Sequence, residues 1–175
     1  MQFCSNDEKM YHEFIVHFPC AYLTQLKNVL IIGGGDLMAV RELCKYKSIE
    51  KIDLVDIDKK VTEVTKNFFS DLLPKTMDKR VKIYNQDANY AIHQFPNKNY
   101  DLIIIDSTEC NNNNLSIDQN NFYKRCKQKL TNKGILVKNG YVINGMPDVE
   151  RDQKENIYQN LKSLFDNVGV FKIDL

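Results

Sequence analysis

Four aspartates stand where four apolar runs end. Asp36 follows "VLIIGGG" (Val29–Gly35) and Asp56 follows "KIDLV" (Lys51–Val55). Asp87 lies just past "VKIY" (Val81–Tyr84), and Asp106 closes "YDLIII" (Tyr100–Ile105), with Glu109 shortly after it. One aspartate in such a place is ordinary, because it caps helices and turns well. Four in succession suggest a shared task. Carboxylates accept hydrogen bonds from hydroxyls and amines, take protons and attract cations. Gly33, Gly34 and Gly35 make a turn of the kind that cradles phosphate, yet a carboxylate directly after them repels it. The set suits a ligand with ribose hydroxyls and a positive charge, and disfavours a nicotinamide dinucleotide.

A sulfonium nucleoside of the S-adenosylmethionine type meets that description. Asp56, about 20 residues beyond the glycine turn, is placed to accept from ribose hydroxyls. Asp87 would sit near the adenine, and Gly33 to Gly35 would line the site of the sulfonium's tail. The chemistry of that tail separates two classes. A carboxylate ~4 Å from Asp36 would cost up to about 4 kcal/mol at an effective dielectric constant of 20. A tail ending only in an amine would gain from the same aspartate.

The elements that must position these groups alternate between strand and helix. Strands are expected over Asn28–Ile32, Lys51–Ile57, Val81–Tyr84, Tyr100–Ile105 and from Gly134 to Val137. Helices are expected over Val40–Tyr46, Lys59–Leu72, Ala88–Gln94 and Asp118–Leu130, the last stopped by Asn132–Gly134. In Lys59–Leu72, Val61, Val64, Phe68 and Leu72 recur at helical spacing and read as a core-facing stripe. Ile157, Leu161, Leu164, Phe165 and Val168 mark a last helix, and "VFKIDL" a final strand. The alternation implies an α/β fold, a Rossmann-like doubly wound and mostly parallel sheet with helices on both faces. Residues 1–25 read as a lead-in segment with a helix from Asp7 to Phe18, and 26–175 as the nucleoside-binding domain, a single domain overall.

Bulk properties remove other classes. The chain has 175 residues, 43% of them hydrophobic, and 24 basic against 23 acidic groups. That is about one domain's worth of core. No polybasic run marks a nucleic-acid partner. No apolar run reaches the roughly 18 residues that span a bilayer, and no signal peptide opens the chain. A soluble, cytoplasmic protein is expected. Cys4, Cys20, Cys44, Cys110 and Cys126 are odd in number and scattered, which reads as reduced thiols rather than a zinc site. His17 and His93 read as structural, Arg41 and Glu42 as a structural ion pair, and Asn111 to Asn114 as a surface loop.

Four stretches resemble the polyamine aminopropyltransferase family. "QFCSNDEKMYHEFIVHFP" (Gln2–Pro19) is similar to Q-x-x-x-x-D-E-x-x-Y-[HQ]-E-x-x-x-H-x-P, and "NVLIIGGGDLMAVRE" (Asn28–Glu42) to VLIIGGGDGG-x-x-RE. "DLVDID" (Asp53–Asp58) resembles V-[ED]-I-D, and "YDLIIIDSTE" (Tyr100–Glu109) resembles YD-V-I-x-D-S-[ST]-D. The resemblance implies transfer of the aminopropyl group of decarboxylated S-adenosylmethionine to putrescine, giving spermidine and methylthioadenosine. It implies Asp106 as proton acceptor. Gly33, Gly34, Gly35, Asp36, Asp56, Asp87 and Ala88 would bind the donor. Tyr11, His12, Asp36, Asp106, Ser107 and Glu109 would bind the diamine. Decarboxylated S-adenosylmethionine would be a co-substrate; no cofactor and no metal are implied, and a homodimer is the expected assembly.

The chain departs from the family pattern in several places. Leu37 and Met38 replace the second glycine pair of GGGDGG, where they would narrow the diamine channel or deform the turn. "DSTECNNNN" replaces D-S-S-D-P-x-G-P, and "LVKNGYV" matches V-x-Q-x-E only loosely. The family's small β domain ahead of Gln2 and its strand pair beyond Leu175 have no counterpart, as expected of a fragment or a reduced member. Two other functions share the fold class: an S-adenosylmethionine-dependent small-molecule methyltransferase, which Asp36 opposes, and a catalytically degenerate paralogue.

Overall fold

The computed structural model describes residues 7–73, 78–107, 120–139 and 157–171. Its elements run α1 (Glu8–Cys20), β1 (Asn28–Gly33), α2 (Met38–Leu43), β2 (Lys51–Val55), α3 (Lys59–Phe68), β3 (Val81–Tyr84), α4 (Ala88–Gln94), β4 (Tyr100–Asp106), α5 (Asn120–Lys129) and β5 (Leu130–Lys138). A 3-10 turn, Ser70–Leu72, follows α3. The five strands form one sheet in the order β3-β2-β1-β4-β5, and every pairing is parallel. The expected doubly wound sheet is therefore present.

The sheet is held by period-two alternation that is apolar on both faces. Val29, Ile31, Leu102 and Ile104 face a core shared with Ile15 and Val16 of α1 and with Leu43. Leu30, Ile32, Ile103 and Ile105 face a second core with Ala91, Ile92, Phe122 and Tyr123. Strands buried on both sides read as continuous apolar runs, as "VLII" and "LIII" do. The lead-in helix α1 thus packs into the same body as the sheet.

The chain order reverses between β1 and β4, which are neighbours in the sheet. In a doubly wound fold the crevice outside the strand ends at such a point is where ligands bind. Gly33 pairs in register with Asp106 at this point.

Several boundaries differ from expectation. β2 ends at Val55, and Ile57 is exposed. Helix α3 turns its apolar stripe outward. Val61, Val64 and Phe68 are exposed, Phe68 at 78%, whereas Thr62 and Thr65 are buried. Spacing fixes which residues share a face but not which face meets the sheet. Leu72 belongs to the 3-10 turn and is half-buried rather than core. Asn132–Gly134 lies inside β5, where Thr131–Gly134 bulges opposite Asp101. The last helical stretch covers 157–164, and 170–171 is not strand; 172–175 lies outside the described residues, as do 111–114 and the expected start of α5 at Asp118. Cys20, Cys44 and Cys126 are free thiols; Cys4 and Cys110 are outside. Among the described residues no helix is long and apolar enough to cross a membrane.

Leu37 takes a left-handed backbone, φ 65°, at the position the family pattern gives to glycine. Such a conformation costs a bulky residue about 1–3 kcal/mol. Its side chain is 1% exposed in the core beneath the turn, which returns about 2 kcal/mol of burial. Met38 is likewise fully buried. Both large side chains are thus packed into the protein.

Candidate active site

The glycine turn is shaped by two close approaches. Gly33 has φ 83°, and a Cβ there would lie 2.1 Å from the Asp106 carbonyl oxygen. Gly34 N–H donates to that same carbonyl at 2.9 Å. At Gly35 a Cβ would lie 2.6 Å from Asp56 Oδ2, which instead accepts the Gly35 N–H at 2.8 Å. Bare backbone is therefore what lets the ends of β1, β2 and β4 meet. The other Asp56 oxygen accepts the Asp58 N–H at 2.8 Å. A carboxylate has about four lone-pair positions, so Asp56 can still receive ribose hydroxyls.

Four of the expected residues converge beside this turn. Tyr11 and His12 come from α1, Asp36 from the turn and Asp106 from the end of β4. Tyr11 donates its hydroxyl to Asp106 Oδ1 at 2.6 Å. Asp36 Oδ1 accepts the Met38 N–H at 2.9 Å, closing an Asx turn. The second oxygens, Asp36 Oδ2 and Asp106 Oδ2, lie 3.6 and 3.9 Å from His12 Nε2. His12 is 2% exposed, and its Nε2 has no hydrogen-bond partner. Its Nδ1 contacts the Glu8 carbonyl oxygen at 2.6 Å. A carbonyl can only accept, so Nδ1 carries the proton and Nε2 is left either as a lone pair or as a second N–H.

The electrostatics follow from that crowding. Burial, the Asp36 charge and the Asp56 charge push the Asp106 carboxyl up from its ordinary value of 3.8, against the pull of Tyr11 and His12. Burial lowers His12, but Asp36 and Asp106 outweigh it and raise the imidazole above 6.5. Burial and the Asp106 charge raise the Tyr11 phenol, so it stays a donor. Three carboxylates and one imidazole leave a negative surplus that a bound cation would neutralise.

The remaining expected residues are less closely joined. Asp87 caps α4, accepting the Asn89 N–H at 2.7 Å, and Ala88 begins that helix with 8% of its surface exposed. Both stand past the end of β3, with no described contact to the His12 cluster. Ser107 follows β4, and its carbonyl accepts from Asn139 Nδ2 at 2.9 Å. Glu109 lies outside the described residues. His93 is exposed, and His17 bonds to Glu42 and Tyr46.

Three residues near the site were not singled out as part of it from sequence. Glu8 fixes the His12 ring and grips Arg41 through two hydrogen bonds of 3.1 Å. Its place four residues before His12 on one helix face was the available signal. Arg41 also donates to Glu42 at 2.8 Å, so the expected ion pair is present and reaches further. Asn139 follows β5 and touches both the Tyr11 and Ser107 neighbourhoods. Only its position past a strand end marked it.

Comparison with known proteins identifies relatives of the chain as a whole. Residues 8–173 match the family model described as "Spermine/spermidine synthase domain". A protein named polyamine aminopropyltransferase from Alkaliphilus metalliredigens is 40% identical over 171 residues, 97% of this chain and 58% of its own length. The crystal structure of spermidine synthase from Thermotoga maritima superposes with a TM-score of 0.79 at 28% identity, covering 93% of this chain and 53% of that one. Human methyltransferase-like protein 13 in complex with SAH gives a TM-score of 0.71 at 20% identity, a likeness of fold alone. The chain spans about half the length of the curated relatives it matches. With its switch-point glycine turn, its acidic rim and a family match across nearly every described element, the chain belongs to the spermine/spermidine synthase family.

Proposed function

We propose that this chain carries the aminopropyl-transfer site of a spermidine synthase-like enzyme, acting on decarboxylated S-adenosylmethionine and putrescine. The observation that carries this reading is the meeting of His12 Nε2, Asp36 Oδ2 and Asp106 Oδ2 around one buried, negatively charged point. A primary ammonium has three N–H donors and no acceptor; the two carboxylate oxygens face it here, and His12 Nε2 adds a third acceptor when the imidazole is neutral. A carboxylate-bearing tail would be repelled by the same atoms, which disfavours the methyltransferase alternative.

Asp56 would hold the ribose, and Asp87 with the Ala88 backbone the adenine. Gly33 to Gly35 leave room for the chain between sulfur and amine. In the reaction the nucleophilic nitrogen of putrescine forms a bond to the carbon next to sulfur. The C–S bond breaks, and its electron pair leaves with neutral methylthioadenosine. The nitrogen's surplus proton passes to Asp106. Alkyl amines titrate near 10.4, so the diamine arrives protonated and needs such an acceptor. Burial raises Asp106 and strengthens it as a base, and the Tyr11 hydroxyl on Oδ1 leaves Oδ2 to take the proton. Ser107 and Glu109 would hold the diamine's far end.

The test is methylthioadenosine release from decarboxylated S-adenosylmethionine with and without putrescine. Putrescine-dependent release that disappears in D106N supports the reading. Release that needs no diamine, or persists in D106N, contradicts it.

A further inference from the structure

The three atoms around the buried point share one construction. Each belongs to a side chain whose other polar atom is already fastened: His12 Nδ1 to the Glu8 carbonyl, Asp36 Oδ1 to the Met38 N–H, Asp106 Oδ1 to the Tyr11 hydroxyl. Each therefore presents one oriented atom inward, the imidazole nitrogen as a lone pair in its neutral form, and all three lie within 4.8 Å of one another. Imidazoles held through Nδ1 by a backbone carbonyl, and carboxylates held by a second hydrogen bond, are how proteins orient metal ligands. His12 is 2% exposed, and its Nε2, which has no hydrogen-bond partner, lies 3.6 and 3.9 Å from the two carboxylate oxygens.

We propose that His12 Nε2, Asp36 Oδ2 and Asp106 Oδ2 form a three-ligand site for one divalent transition-metal ion of the zinc type, which binds in place of the amine and shuts the site. One imidazole and two carboxylates are ordinary zinc donors, and an open fourth position is left for water. Zinc–ligand distances of about 2.0–2.2 Å require the three side chains to close inward by under about 1 Å. The ion is an occupant that excludes substrate, not a participant in transfer. Exclusion of the amine rests on the function proposed above; binding of the ion does not.

The test titrates the chain with ZnCl2 by calorimetry after alkylating its thiols, which would otherwise compete. One saturable equivalent is expected. It should weaken at least tenfold in H12A and in D36N, and stay unchanged in H17A, whose histidine serves the Glu42 network. D36N keeps the Asp36 Oδ1 acceptor, so it stands in should H12A fold poorly. No saturable equivalent, or an equivalent indifferent to both H12A and D36N, overturns the site. Putrescine and decarboxylated S-adenosylmethionine are then added to the zinc-loaded chain. Weakening of zinc at least tenfold by either supports exclusion. Zinc held through His12 but untouched by amines overturns exclusion, and with it the amine reading of the cluster, while the metal site itself stands.

Discussion

Two charged clusters share α1 and differ in one respect. In the first, Glu8 takes two hydrogen bonds from Arg41, which also binds Glu42; Glu42 in turn holds His17 at 2.9 Å and pairs with Lys45. Two carboxylates meet two permanent cations, and the charges close. In the second, Asp36 and Asp106, with Asp56 near, face one another across His12. The first cluster is complete without any ligand. The second has a place for a cation, and its carboxylates face one another at the switch point of the sheet. Buried charge that is balanced serves structure; buried charge that is unbalanced marks a site and lowers the stability of the empty protein.

Charge removal should therefore have opposite effects in the two places. The largest change is expected in turnover: D106N should lower methylthioadenosine production at least about 100-fold, the usual reach of a lost general base. Next comes E42Q, which leaves Arg41 and Lys45 short of a partner. It should destabilise the fold by about 2 kcal/mol in chemical denaturation, less than a fully buried pair because Lys45 is half exposed. D106N should do the reverse, stabilising the empty chain as the like charges are relieved. If E42Q and D106N shift stability in the same direction, the contrast fails.

The smallest effect is on pH dependence, and its sign differs between the clusters. His12 is raised, so its contribution is full below pH 6.5 and is lost as pH rises through its higher folded value. Glu42 is lowered despite its burial, because Lys45, Arg41 and His17 hold the charge. Its contribution is present above pH 4.5 and is lost as pH falls through its lower folded value. The melting-temperature gap between parent and H12Q should close toward alkaline pH, and that between parent and E42Q toward acid. Parallel gaps across the range would remove the distinction.

Sequence carried much of this. The five strands were legible because a doubly buried parallel strand must be a short apolar run, and "VLII" and "LIII" are such runs. Asp36, Asp56 and Asp106 were legible because strand ends in an open parallel sheet converge. The outward stripe of α3 was not, since periodicity gives a face and not its direction, and nothing local distinguishes Thr62 from Val61 as the buried neighbour. The left-handed Leu37 was not legible either, because its penalty is offset by core contacts far away in sequence. Glu8 and Asn139 act through His12 and Tyr11, and their roles depend on tertiary contact.

The central claim is that the His12–Asp36–Asp106 cluster is built for an ammonium group. Calorimetric titration with decarboxylated S-adenosylmethionine and, in parallel, with S-adenosylmethionine tests it most directly. The two ligands differ by the one carboxylate that the cluster should reject. At least tenfold tighter binding of the decarboxylated form, ~1.4 kcal/mol, narrowed by D36N, is the expected result. Equal or tighter binding of S-adenosylmethionine would contradict the account.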